Sequence, residues 1–174
     1  MFFRRRPSEE VLRREQASFS EHAAKAAGGG EAVLRDELGL YHLWYLELRL
    51  REELARAARV HNEFSLATWR LRLLPGESPD PELLQRAAAF IAGSLRNYDI
   101  PARIDSERFA AILFDAGYED ACTVAFRIKG DLQIRAPSAG RWQAGVATFP
   151  RDGVAGDALI QAAFRRLEAD ARAA

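Results

Sequence analysis

Arg96 and Asp99 stand three apart in Arg96-Asn97-Tyr98-Asp99, just ahead of Pro101. At a helix end that spacing lets both side chains project to one side. An arginine fork can take O6 and N7 of guanine as a bidentate pair, or grip a phosphate. A carboxylate such as Asp99 can accept hydrogen bonds from the N–H groups of a base. The same aspartate has a plainer use, capping the turn before Pro101. Five residues further on, Asp105-Ser106-Glu107-Arg108-Phe109 packs two acids and an arginine into a few positions. Elsewhere the chemistry is sparse. Cys122 is the single cysteine, which excludes an internal disulfide and any cysteine-cluster metal site. His22, His42 and His61 are scattered, without a carboxylate or cysteine at ligand spacing, so no metal and no cofactor is expected.

The elements that must position these residues follow from periodicity. Ser8 is a good N-cap with Glu9 and Glu10 in the first turn, and a modestly amphipathic helix should run to Ala27. Gly28-Gly29-Gly30 ends it as a flexible joint. A second helix is expected over about 31–60, its apolar stripe formed by Leu40, Leu43, Trp44, Leu46, Leu50 and Leu54. Glu47–Arg51 and Glu52–Arg56 are i,i+4 pairs on its solvated faces. Phe64 to Leu74 alternates and is rich in strand formers. Pro75 to Pro81 is a turn-rich loop, with Pro81 placed to open a helix over Glu82 to Arg96. Strands at about 101–105 and 108–114 flank a tight turn at Asp105-Ser106. A helix at 118–132, a strand from Trp142 to Phe149 and a closing helix from Gly156 to Ala173 complete the chain. The expected class is α+β, a ferredoxin-like, palm-type βαββαβ core with a helical N-terminal extension and a sheet covered on one face. Two domains are expected, an extension over 1–30 and a globular domain over 31–174.

Composition bounds the partners. The 174 residues suffice for one domain with a proper core, and 48% hydrophobic with 29% charged residues is ordinary for a soluble globular protein. Lys plus Arg and Asp plus Glu are 25 each, so no bulk charge points to nucleic acid. Lys25 and Lys129 are the only lysines. No apolar run approaches the ~20 residues that span a bilayer, and Met1-Phe2-Phe3 is too short for a signal peptide. A cytoplasmic location is therefore expected. Trp44, Trp69 and Trp142 read as core or interface anchors, and Cys122 as a packing residue.

Four landmarks, in order and at nearly the right spacing, make the chain resemble a GGDEF domain, the bacterial cyclic-di-GMP synthase module. Asp36-Glu-Leu-Gly-Leu-Tyr-His42 is similar to the family's opening Asp-x-Leu-Thr-Gly-Leu-x-Asn. Arg96 and Asp99 reproduce its Arg-x-x-Asp product site. Arg103 and Phe109 match Arg-x-Gly-Gly-Asp-Glu-Phe, and Gly145-Val-Ala-Thr-Phe-Pro150 resembles its late Gly-x-Ala-x-Phe/Tyr-Pro segment. The resemblance covers Arg35 to the C-terminus.

What the resemblance implies about catalysis is negative. The glycines that let backbone approach the nucleotide are Asp105 and Ser106, and the acidic pair is Glu107 and Arg108. The Asp-x-Asp positions at the end of the first strand read Arg70-Leu71-Arg72. Magnesium needs hard oxygen ligands, and two positive charges would repel it. The family's late phosphate-reaching lysine aligns with Ala171, an aspartate of the last helix with Phe164, and the guanine-reading segment after the first strand is gone. The product site fares better, because the arginine that the family adds from the next helix aligns with Arg127. The resemblance thus implies a non-enzymatic receptor for cyclic-di-GMP held by Arg96, Asp99 and Arg127, bound as an intercalated dimer of dinucleotides and able to bridge two copies. The competing expectation is a ligand-independent protein-interaction or dimerisation module acting through the helices before residue 60. A third is a regulatory GTP-binding domain, against which the acidic Asp105 argues.

Overall fold

The computed structural model describes residues 34–136 and 140–170, and the chain divides into two compact units, Met1–Arg35 and Asp36–Ala174. The second unit carries every landmark. The helix expected before residue 28, the triglycine joint and any dimer contact made through them lie outside the described residues.

Among the described residues of the second unit nine elements follow one another. They are β1 (Tyr41–His42), α1 (Leu43–Val60), β2 (Phe64–Arg72), α2 (Pro81–Ser94), β3 (Ile100–Arg103), β4 (Arg108–Leu113), α3 (Tyr118–Arg135), β5 (Arg141–Phe149) and α4 (Gly156–Asp170). The strands form one sheet in the order β1-β3-β4-β2-β5. The β1–β3 pair is parallel and every other pair antiparallel. The core β2-α2-β3-β4-α3-β5 is the expected α+β arrangement, and β3 and β4 form the expected hairpin.

Two expectations need correction. The helix expected from residue 31 begins only at Leu43. Asp36 Oδ1 accepts the N–H groups of Leu38 and Leu40, both at 3.0 Å, and Gly39 sits at φ 79°, so the chain turns here instead of coiling. Tyr41 and His42 then pair with Ala102 and Arg103. Leu40 is consequently buried beneath the face opposite to α1, while Leu46 and Leu50 carry the helix stripe. The expected Glu52–Arg56 pair also shifts, because Arg56 grips Glu53 at 2.6 Å and Glu52 takes Arg49 at 2.9 Å.

The second correction concerns the layers, because the sheet is covered on both faces. On one face α2 and α3 pack Leu84, Ile91, Ala125 and Ile128 against Trp69, Phe109 and Trp142. On the other, α1 and α4 pack Leu46, Leu50, Leu159 and Ala163 against Phe64, Leu66, Ile112 and Phe149. The central strand β2 is therefore buried on both sides, which explains a sequence that is apolar at most positions. Trp69 and Trp142 are core residues whose indole N–H groups donate to the carbonyls of Ala125 and Ala136. Cys122 is half-buried against the same cluster.

Local signals set the ends of the elements. Asp80 caps α2 by accepting the Glu82 N–H at 3.0 Å, with Pro81 in the first helical turn. Gly145 lets α4 lie directly on β5, because a Cβ there would collide with the Ala163 carbonyl and lie 2.6 Å from the Leu167 nitrogen. The outer edge of β5 is closed by side chains. Trp142 N–H donates to Gln133 Oε1, Ala144 N–H to Asp170 Oδ2 and Thr148 N–H to Asp152 Oδ2. Arg166 Nη1 donates to the Val146 carbonyl. An edge so occupied offers few free groups to another strand.

Candidate functional site

Two turns carry the residues singled out above, and each is built around one aspartate. In the hairpin turn, Asp105 Oδ1 accepts the N–H groups of Glu107 and Arg108, both at 2.9 Å, and Oδ2 accepts Arg108 Nε at 2.6 Å. This is an Asx turn closed further by its own arginine. Burial alone would raise the Asp105 carboxyl, but Arg108 and the two N–H groups outweigh it and hold it below its ordinary value.

Every arginine around this turn has a carboxylate. Arg70 and Arg108 face each other across β2 and β4. Arg70 Nη1 lies 2.9 Å from Glu168 of α4, and its Nε lies 3.5 Å from Glu107, an ion-pair distance without hydrogen-bond geometry. The Arg108 guanidinium stands 4.9 Å from the Phe164 ring centroid. Arg103 donates from Nε to the Asp105 carbonyl and from Nη1 to Asp36 and Glu37, at 3.5 and 2.5 Å. The backbone N–H of Glu37, and then the same guanidinium, hold the Glu37 carboxyl below its ordinary value. Phe109 is fully buried beneath the turn.

A cleft of about 400 Å³ opens beside the turn, lined by Asp36, His42, Trp44, Arg103 and Ser106 among others. Among the described residues no group of three His, Cys, Asp or Glu side chains could hold a metal ion. Arg72 is an exposed residue at the end of β2, paired in register with Arg141. Ala171 lies outside the described residues.

The second turn joins α2 to β3. Asp99 is only 6% exposed, and its oxygens face inward. Oδ2 accepts the Arg96 N–H at 2.9 Å and Oδ1 the Phe114 N–H at 3.2 Å, while Asp99 N–H returns to the Arg96 carbonyl. Burial pushes its carboxyl above the ordinary value, and the two N–H groups and Arg96 only partly oppose this. The Arg96 side chain donates through Nη1 to the Tyr98 hydroxyl at 3.0 Å. Arg127 of α3 reaches the same corner, donating to the Ser94 carbonyl at 3.4 Å.

The structure therefore brings Arg96 and Arg127 to one corner, at the carboxyl end of α2, with Asp99 beneath them. Both arginines are exposed, and among the described residues neither has a carboxylate within ion-pair distance. Sequence reasoning overlooked Tyr98, an exposed aromatic inside the Arg-x-x-Asp spacing. It also overlooked Glu168, which is far from Arg70 in sequence and meets it only because α4 crosses the sheet. Exposure of the tyrosine could have been read from its place in a turn; the Glu168 contact could not.

No protein-family model matches the chain, and no curated protein matches it either. Many solved structures that resemble it are GGDEF domains, and the likeness establishes a GGDEF-type α+β fold. The chain is similar to the GGDEF domain of TpbB (YfiN) from Pseudomonas aeruginosa, at 22% identity and a TM-score of 0.71 over 80% of this chain and 90% of that one. It is also similar to the diguanylate cyclase SiaD of the same organism, solved with its activator SiaC. The identity is 24% and the TM-score 0.71, over 95% of this chain and 68% of SiaD. A third is the GGDEF domain of DgcB from Caulobacter crescentus, solved with cyclic-di-GMP, at 17% identity and a TM-score of 0.68 over 80% and 88% of the two chains. Among the described residues no helix is long and apolar enough to cross a membrane.

Proposed function

We propose that this chain is a catalytically silent GGDEF-type domain that binds cyclic-di-GMP at the α2–β3 corner and signals through protein contacts. One observation carries the reading. Arg96 and Arg127 converge without carboxylate partners, whereas Arg70, Arg103 and Arg108 at the hairpin turn are each paired with one. Unneutralised guanidinium groups favour an anion, and a cyclic dinucleotide offers two phosphates and guanine O6/N7 edges. DgcB, of similar fold, was solved with this ligand.

Within this reading the three residues divide the work. Arg96 and Arg127 meet the ligand. Asp99 holds the turn that aims Arg96, its inward oxygens engaged by the Arg96 and Phe114 N–H groups. The silence of the hairpin turn rests on charge. Arg70 and Arg108 stand where the resemblance places metal-binding carboxylates, and their salt bridges fill the space with cations and their own counter-ions.

Isothermal titration with cyclic-di-GMP, with GTP as control, tests the reading. Micromolar or tighter binding is expected, weakened about ten- to a hundredfold in Arg96→Ala through loss of a charge-assisted pair. Incubation with GTP and magnesium is expected to yield no dinucleotide. Absence of any heat with cyclic-di-GMP overturns the receptor. It would favour the second reading, a ligand-independent interaction module, for which the exposed Phe126 and Ile134 on α3 are the visible apolar anchors.

A further inference from the structure

Tyr98 lies between the two residues that drew attention to this corner, and its placement is unusual for a tyrosine. It is 55% exposed, in a turn fixed from below by Asp99. The main chain on either side is tied down as well, by Asp99 N–H donating to the Arg96 carbonyl at 3.0 Å. The ring is thus an exposed aromatic on a rigid support. Exposed rings that serve only packing usually lie flat against a neighbour.

The contact with Arg96 sharpens this. The Arg96 guanidinium bonds the hydroxyl, and its central carbon stays 5.8 Å from the ring centroid. Elsewhere in the same molecule an arginine covers a tyrosine more closely, because Arg151 lies 3.8 Å from the centroid of Tyr118. At the corner the Arg96 guanidinium sits over the ring at a looser 5.8 Å, tethered by the hydroxyl, and the ring stays 55% exposed. The hydroxyl accepts from Arg96 and keeps its own proton to donate. The result is an exposed aromatic ring held by Arg96, at the same corner whose helix end Arg127 reaches. Purine dinucleotides present flat bases beside phosphates, and this surface matches that chemistry.

We propose that Tyr98 is a base-stacking, specificity-determining residue of this site: a purine of the bound dinucleotide lies on its exposed ring while Arg96, held by the hydroxyl, meets the adjacent phosphate or the O6/N7 edge. This rests on the receptor reading above. Stacking on an aromatic tolerates either purine and falls with the smaller π-face of a pyrimidine. The ring therefore selects base size, and the arginine forks select guanine.

The test is titration of the whole protein and two variants with cyclic-di-GMP and with a cyclic dipyrimidine dinucleotide. Tyr98→Ala is expected to weaken cyclic-di-GMP binding about ten- to a hundredfold. It should also narrow the preference for the purine ligand, with the melting temperature nearly unchanged because the ring is exposed. Tyr98→Phe keeps the face and loses only the bond to Arg96, so it should stay within about threefold of the parent protein. If Tyr98→Phe weakens binding as much as Tyr98→Ala, the ring merely anchors Arg96 and the stacking proposal is wrong. Equal affinity in the parent protein and Tyr98→Ala also overturns it while leaving the receptor intact. A parent protein that binds neither ligand removes the receptor itself.

Discussion

The hairpin turn and the α2–β3 turn are made alike and charged differently. Each is folded around an aspartate that accepts two backbone N–H groups, Asp105 in one and Asp99 in the other. At the hairpin, each arginine has at least one acid, and the strands are tied to α4 and to the Asp36 turn. At the α2–β3 corner the carboxylate is turned inward and the arginines outward, onto neutral oxygens of Tyr98 and Ser94. A neutralised set of charges supports structure, while exposed cations over a satisfied turn remain available to a partner.

The comparison first predicts unequal roles for the carboxylates and arginines in stability. Asp99→Ala leaves the Arg96 and Phe114 N–H groups without their acceptor in a buried turn. A loss of about 3 kcal/mol is expected by urea denaturation, from ~1–3 kcal/mol for each unsatisfied group. A loss below about 1 kcal/mol would mean that water reaches those groups and that the turn is looser than described. Next comes Arg103→Ala, which strips the nearly buried Asp36 carboxylate of its counter-charge and the Asp105 carbonyl of its side-chain donor. About 2 kcal/mol is expected, because removing one partner of a buried pair leaves the other uncompensated. Similar values for Arg103→Ala and Arg127→Ala would erase the distinction between the two turns.

Much of this was legible in the sequence because it is local. Asp80 and Pro81 announce the start of α2, the alternating and apolar runs announce β2 and β5, and Asp105-Ser106 announces the hairpin. The two-residue strand β1 was not legible. Its pairing is set by Ala102 and Arg103, some sixty residues downstream, and leucines on both sides of it extend the helical period without a break. The second covered face was missed for a related reason. Strands buried on both sides and on one side both begin as short apolar runs, and which helix covers which face is a matter of topology. At the candidate site the sequence placed Arg96, Asp99 and Arg127 together only through resemblance. Neither the inward turn of Asp99 nor the hold of Tyr98 on Arg96 follows from spacing, since both depend on side-chain directions at a helix end.

The two aspartates should also respond to pH with opposite sign. Asp105 is depressed in the fold, so its contribution is present above its ordinary value of 3.8 and is lost as pH falls through the lower folded value. Asp99 is raised, so its contribution is fully present below 3.8 and is lost as pH rises through the higher folded value. The stability cost of Asp105→Asn should therefore grow from acid toward neutral pH, and that of Asp99→Asn should shrink over the same range. Denaturation curves of both variants from about pH 3 to pH 7 check this. Parallel slopes would mean that the two carboxylates share one kind of environment, against the contrast drawn here.

The smallest expected effect is the most telling. Arg96→Ala and Arg127→Ala remove exposed side chains whose partners, a hydroxyl and a helix-end carbonyl, can turn to water. Stability should move by no more than about 0.5 kcal/mol in either variant, as for most surface substitutions. Arg127 sits over the carboxyl end of α2, where a cation is mildly favoured, so its loss should be the larger of the two. Thermal melts with and without cyclic-di-GMP separate the possibilities. Variants that melt like the parent protein alone, yet lose the ligand-induced rise, assign both arginines to binding. A loss of 2 kcal/mol without ligand would place them among the structural charges, and the α2–β3 corner would then be a second hairpin turn in function as well as in form.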